Sequence, residues 1–68
     1  MYSTLFITRK EKRKSQKDIA KVLNIHTQSY HLKEAGKREF TLSEAKKLAH
    51  YFNTSLDNLF GDNRRSVE

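Results

Sequence analysis

Polar but uncharged side chains concentrate in the stretch SQKDIAKVLNIHTQSYHLKEAGKR, residues 15–38. Four of them lie close together in the sequence: Thr27, Gln28, Ser29 and His31. They are too polar for a core and too uncharged for an ordinary surface. Glutamine can pair bidentately with adenine, and the threonine methyl group can pack on a thymine methyl. We therefore interpret these four residues as candidate base contacts in DNA.

The charge of the chain indicates a polyanionic partner. Its 68 residues include 14 Lys and Arg against eight Asp and Glu, which gives a net charge of +6 and a pI near 9.8. Basic charge at this density favours nucleic acid or an anionic membrane surface as the partner. The alternative interpretation is a solvated basic face that serves solubility alone. Five cations lie where they would reach phosphates beside the polar cluster: Lys14, Lys17, Lys33, Lys37 and Arg38.

Other classes of protein find little support in the sequence. There is no cysteine, which suits a reducing cytoplasm and excludes disulfides and thiolate metal sites. His26 and His31 would diverge on a helix, so we expect no metal and no cofactor. No nucleophile with a paired base and no phosphate-binding glycine loop is present, which argues against an enzyme. No apolar run approaches membrane-spanning length, so we expect no membrane partner.

The patterning predicts five short helices and therefore an all-α fold. The first covers roughly residues 3–13. The second begins at Ser15 with a capping-box pattern and ends at Asn24, a residue that tolerates the left-handed conformation. The third ends near Ala35, and Gly36 stops it.

The fourth helix has a full capping box, Thr41 with Glu44 three residues later. Its apolar face is predicted from helical spacing: Leu42, Ala45, Leu48, Ala49 and Phe52. The fifth helix follows Ser55 and stops at Gly61. Residues 1–61 are thus predicted to form one domain, and we expect residues 62–68 to be a disordered tail.

Only Asn24, Ile25 and His26 separate the second and third helices. Two helices joined by so short a turn meet steeply in helix-turn-helix geometry, and the second helix of such a pair can lie in the DNA major groove. The candidate base contacts would then line the outer side of helix three, while Tyr30 faces inward and Ile25 fills the gap.

Motifs at matched spacing cover about residues 3–61: SQKDIA (15–20), LNI (23–25), EAGKR (34–38), LxxAxxLA (42–49) and SLDxLF (55–60). Together they resemble the phage repressor and Cro family of helix-turn-helix proteins, the XRE type. The resemblance implies a compact five-helix, lambda-repressor-like DNA-binding domain in which helices 2 and 3 form the helix-turn-helix.

The resemblance also implies roles for individual residues. Gln16 is similar to the glutamine that touches a phosphate and steadies the first base-reading side chain. Thr27 and Gln28 match base-reading positions. Arg9 and Glu34 match positions that form an ion pair between helix one and the end of helix three.

The chain departs from the family pattern at several positions. Asn24 replaces the usual turn glycine, and Lys14 and Lys33 stand where apolar residues are common. Leu32 stands where some relatives carry a polar base reader. It either meets a thymine methyl or takes over the core role that Lys33 gives up, and we slightly favour the core role.

The sequence therefore predicts a sequence-specific DNA-binding transcriptional regulator of the phage repressor/Cro type. The resemblance implies a cytoplasmic, nucleoid-associated protein encoded by a prokaryote or a phage. We expect two copies on an operator of two half-sites. Phe60, Leu56 and the Phe40 loop are candidates either for a weak homodimer contact or for the core.

The sequence is compatible with two other functions. A small helix-turn-helix protein that modulates another repressor by protein–protein binding is the leading alternative, and Leu32 beside the base contacts would suit it. An antitoxin-like partner of a toxin would need an additional toxin-binding segment.

Overall fold

The structure, a computed structural model that describes residues 1–61, consists of five α-helices and short connections. In chain order they are α1 Ser3–Glu11, α2 Gln16–Leu23, α3 Thr27–Glu34, α4 Leu42–Tyr51 and α5 Leu56–Phe60. No strand occurs among residues 1–61, and the predicted all-α fold is confirmed. The tail predicted for residues 62–68 lies outside the described residues. None of the helices among residues 1–61 has the length and apolar character needed to span a membrane.

Reciprocal caps define the starts of α2 and α4. Ser15 Oγ accepts the N–H of Asp18 at 3.0 Å, and the Asp18 carboxylate accepts the N–H of Ser15 at 2.9 Å. Thr41 and Glu44 make the same exchange at 3.1 and 3.0 Å. Both predicted capping boxes are therefore present, and each satisfies N–H groups that lack a partner within the helix.

Left-handed residues set the connections. Asn24 has φ 58° and ψ 46°, and this turn allows α3 to begin three residues later. Gly36 has φ 84°, and a side chain there would lie 3.1 Å from the Met1 nitrogen, so both conformation and space favour glycine. Arg13 also has a positive φ, 57°, which ends α1 at Glu11, earlier than predicted. The sequence carries no signal for that turn, because arginine is not a residue that favours it.

The core lies between the five helices, and all of them contribute to it: Leu5, Ile19, Ala20, Leu23, Tyr30, Leu48, Ala49, Phe52 and Leu59. The rings of Tyr2, Phe40 and Phe60 pack on this core with their centroids 5.4 Å apart, edge to face. Ile25 is partly buried against the core, as predicted for the residue that fills the helix-turn-helix gap.

The prediction for the apolar face of α4 is wrong at Leu42. Helical spacing predicts Leu42 on that face, but its side chain is 64% exposed. Side chains on a helix lean toward its N-terminus, so the first residue of α4 reaches beyond the contact between helices. Leu42 instead lines the rim of an open groove beside Phe40, Leu56 and Phe60.

Candidate nucleic-acid interface

The two sides of α3 differ sharply in burial. Tyr30 is fully buried and Glu34 is 2% exposed. Thr27, Gln28 and His31 are exposed. Because residues three and four positions apart are neighbours on a helix, these three side chains share one outer face. Ser29, the fourth predicted base contact, is only partly exposed, at the edge of that face.

The Glu34 carboxylate is the polar anchor of α3. Arg9 donates to it twice, from Nε to Oε2 at 2.9 Å and from Nη2 to Oε1 at 3.1 Å. Gln16 Nε2 donates to Oε1 at 2.9 Å, and the Tyr30 hydroxyl donates to Oε2 at 2.8 Å. The third nitrogen of Arg9, Nη1, donates to the Lys14 carbonyl at 2.9 Å. Side chains from α1, α2 and α3 thus meet on one carboxylate.

Burial and hydrogen bonding shift the pKa values of the groups that meet at Glu34. Burial alone would raise the pKa of Glu34, but hydrogen bonds from Arg9, Gln16 and Tyr30 outweigh it and lower that pKa. The hydrogen bond to Glu34 raises the pKa of Arg9, although burial opposes it. Burial and the contact with Glu34 raise the pKa of the Tyr30 hydroxyl. Glu34 is therefore ionised at neutral pH while Tyr30 keeps its proton.

Gln16 joins this anchor to the outer face of α3. Its Nε2 points to Glu34, and its Oε1 lies 3.2 Å from Nδ1 of His31. The resemblance implied that Gln16 steadies the first base-reading side chain of α3. In the structure Gln16 contacts His31, which lies on the exposed outer face of that helix.

Most of the predicted phosphate contacts are exposed cations around α3. Lys14 and Lys17 flank the start of α2, and Lys37 and Arg38 follow α3; all four are exposed. Arg38 Nη1 lies 3.5 Å from the Ser29 hydroxyl, which brings it to the edge of the outer face.

Lys33 differs from the other predicted phosphate contacts. Its Nζ lies 2.7 Å from Glu44 Oε1 in an ion pair, and its side chain is only 13% exposed. The same ammonium lies 5.9 Å from the centroid of the Phe40 ring. This placement does not favour a phosphate contact, because the charge is already paired between α3 and α4. Burial of Glu44 would raise its pKa, but the hydrogen bonds from Lys33 and Thr41 lower it.

The comparison with known proteins agrees with this architecture. The chain matches the model of a helix-turn-helix family over residues 7–59. It belongs to the XRE-type helix-turn-helix family. Searches of curated proteins and of solved structures gave no match. The family is one of DNA-binding regulators and is typically non-enzymatic, so this XRE-type protein is a DNA-binding helix-turn-helix regulator.

Leu32 does not take the core role that we favoured for it. It is only partly buried and lies outside both the core cluster and the apolar side chains that pack on that cluster. Lys33, although charged, keeps its own place between α3 and α4 through Glu44. The XRE-type domain therefore leaves an apolar side chain partly open to solvent next to the exposed residues of α3.

Three contacts between helices of this XRE-type domain were not anticipated from sequence: Lys33 with Glu44, Gln16 with His31, and Gln16 with Glu34. All three join residues 11 or more positions apart. The residue types would have allowed the pairs, but only the angles between helices select them. Among residues 1–61, no group of three or more His, Asp or Glu side chains is placed to hold a metal ion.

Proposed function

We propose that this protein is a sequence-specific transcriptional regulator of the phage repressor/Cro type that inserts α3 into the major groove of an operator. One observation carries the proposal. Thr27, Gln28 and His31 share an exposed face of a helix whose other side is anchored by the buried Tyr30 and Glu34. Side chains held by a rigid support are those that recognise a ligand with defined geometry.

Each exposed side chain has a chemical role in this proposal. Gln28 pairs bidentately with adenine, and the Thr27 methyl packs on thymine. Ser29 and Arg38 contact the DNA from the edge of the face, where the Ser29 hydroxyl and Arg38 Nη1 lie 3.5 Å apart. His31 also contacts a base.

The phosphate contacts come from cations on both sides of α3. We assign this role to Lys14, Lys17 and Lys37, together with Arg38 and the amide of Gln16. Such contacts position the protein on the duplex without reading sequence. Lys33 is left out of this set, because Glu44 already holds its ammonium.

The functional unit is proposed to be two copies on two half-sites, about 34 Å or one helical turn apart. A single domain of this size covers little DNA, so a second copy adds affinity and specificity. The groove beside Phe40, Leu56 and Phe60 is the proposed place of a weak homodimer contact. We place the protein in the cytoplasm of a prokaryote, associated with the nucleoid and encoded by the host or a phage.

Binding of the purified protein to DNA from its own upstream region tests the proposal. The measurement is footprinting against scrambled competitor DNA at two salt concentrations, because non-specific binding falls steeply with salt. Paired protected half-sites that survive the competitor are expected. Binding that salt erases and that prefers no site would contradict an operator-reading function.

The variant Gln28→Ala sharpens this test. It should cost about 1–3 kcal/mol at the operator and leave non-specific binding nearly unchanged, because a lost bidentate base contact affects only the matching sequence. Lys47→Ala, at an exposed position on α4, is the matched control and should change neither. An equal loss on operator and scrambled DNA would remove Gln28 from the base contacts.

The partly exposed Leu32 supports a second function, in which the protein modulates another repressor through protein–protein binding. In that case Leu32→Ser would abolish the effect on the partner's operator occupancy, and the protein alone would protect no site. Operator protection by the protein alone would favour the first function.

A further inference from the structure

The orientation of the Gln16 amide follows from the chemistry of its neighbour. Glu34 is ionised, and a carboxylate only accepts hydrogen bonds. The Gln16 atom that lies 2.9 Å from Glu34 Oε1 must therefore be the NH₂ group. The amide oxygen is the atom left to face His31.

The amide oxygen in turn decides which imidazole nitrogen carries the proton. Gln16 Oε1 lies 3.2 Å from Nδ1 of His31, and an amide oxygen can only accept. Nδ1 must therefore be the N–H group. A neutral imidazole has one N–H, so Nε2 of His31 is left as a bare acceptor on an exposed side chain.

We propose that the chain Glu34–Gln16–His31 makes His31 a hydrogen-bond acceptor that selects a base with a major-groove amino group, cytosine or adenine. This inference rests on the proposed function, since it specifies what one of its base contacts reads. Cytosine N4 and adenine N6 are the amino donors in that groove. Guanine offers two acceptors and thymine one, and neither pairs with an acceptor. Phosphate oxygens are acceptors as well, so neutral His31 is not a phosphate contact.

Gln16 has the part of a positioning residue in this arrangement. The ionised Glu34 fixes the orientation of the Gln16 amide, and the amide oxygen in turn fixes the tautomer of His31. The two hydrogen bonds are 2.9 and 3.2 Å long. At metal sites, the hydrogen-bond partner of a ligating histidine sets its tautomer in the same way. Removing the amide would release the ring to take either tautomer and weaken its preference for an amino group.

The first experiment measures the tautomer in the free protein. Long-range ¹⁵N–¹H NMR spectra distinguish the two neutral tautomers, and they are recorded at a pH where the chemical shifts show all three imidazoles to be neutral. His26 and His50 are exposed and serve as internal references. We expect His31 to carry its proton on Nδ1, and to approach the references in Gln16→Met. A proton on Nε2 of His31 in the unsubstituted protein would overturn the inference without any need for DNA.

The second experiment measures base preference at the operator. Each position of a half-site is replaced by all four bases, and binding is compared for the unsubstituted protein, His31→Ala, Gln16→Met and His50→Ala. At one position we expect cytosine or adenine to be preferred about fivefold, which is the low end of the discrimination given by a good bidentate base contact. His31→Ala should abolish that preference and Gln16→Met should reduce it, whereas His50→Ala should keep it.

The outcomes separate this inference from the proposed function. If a sequence preference exists but His31→Ala leaves every position unchanged, the present inference and the base contact of His31 fail, while operator reading by the protein stands. If the position that responds to His31→Ala prefers guanine or thymine, only the present inference fails. If the unsubstituted protein shows no sequence preference at all, the proposed function and the base selectivity fail together.

Discussion

Two glutamates hold α3 in place, and they do so in different ways. Glu34 lies on α3 itself, is 2% exposed and accepts hydrogen bonds from Arg9, Gln16 and Tyr30. Glu44 lies on α4, has a side chain that is 16% exposed and accepts from Lys33 and the Thr41 N–H. Both carry a depressed pKa, but only the first is sealed from water.

The difference in burial decides what each contact contributes. A buried ion pair is weak evidence of net stabilisation, yet removing one partner leaves a charge that water cannot reach. When a partly exposed pair loses one partner, water solvates the remaining charge, so the free energy of unfolding changes little. Glu34 also connects through Gln16 to the outer face of α3, whereas Glu44 holds the helix through Lys33 away from that face.

The largest effect is expected when the buried pair is broken. Arg9→Ala should lower the free energy of unfolding by about 3–5 kcal/mol, because Glu34 stays behind as an unpaired buried charge. A single core of this size rarely supplies more than about 3–5 kcal/mol, so the variant should be largely unfolded at 25 °C. Urea unfolding followed by circular dichroism measures this. The double variant Arg9→Met/Glu34→Met is the control and should be more stable than Arg9→Ala, and a loss below about 1 kcal/mol in Arg9→Ala would contradict the buried role.

Acid should act on the two glutamates in the same direction. The folded pKa of Glu34 lies below its ordinary value of 4.5, so the folded state binds protons less readily than the unfolded state. Its contribution to stability is therefore present above pH 4.5 and is lost as the pH falls through the folded pKa. Glu44 and Asp18 follow the same sign. Urea unfolding in steps down from neutral pH should show a continuous loss below this value, and side-chain carboxyl NMR titrations identify the residues. A folded Glu34 that titrates above 4.5 would contradict the prediction.

Breaking the partly exposed pair should have a smaller effect. Glu44→Gln should cost about 1 kcal/mol, because it removes an ion pair and weakens one capping contact. Lys33→Met keeps the packing near Phe40 and should cost about 0.5 kcal/mol. The two variants and their double variant form a thermodynamic cycle that isolates the coupling of the pair. A coupling of about 3 kcal/mol or more, the cost expected for breaking the buried pair, would show that burial is not what separates the two pairs.

Sequence signals predicted the parts of the fold that depend on near neighbours. The caps at Ser15 and Thr41 and the left-handed Asn24 each involve residues within four positions, so type and spacing suffice. Arg13 was missed because nothing in its neighbourhood demands a left-handed residue. The exposure of Leu42 was missed because helical spacing alone does not show that the first side chain of α4 reaches beyond the contact between helices.

In the candidate interface, too, some features follow from near neighbours in the sequence and others depend on how the helices pack. The outer face of α3 follows from helical spacing once Tyr30 is placed inward. The contact of Gln16 with His31 and the pairing of Lys33 depend on the angles at which α2 and α4 meet α3, which no local pattern encodes. The positions of Arg9 and Glu34 were indicated only by the family resemblance, since 25 residues separate them.

The smallest expected effect distinguishes the free cations from the paired one. Lys37→Ala should weaken binding to all DNA sequences and make the logarithmic salt slope shallower by about 0.9, the change for one lost phosphate contact. Lys33→Met is the matched control, because it removes the same charge at a position where Glu44 already neutralises it, and its slope should stay unchanged. Binding titrations on one scrambled duplex over several salt concentrations measure both. If the two variants shift the slope equally, Lys33 leaves Glu44 for a phosphate when DNA is bound, and the contact between α3 and α4 is given up on binding.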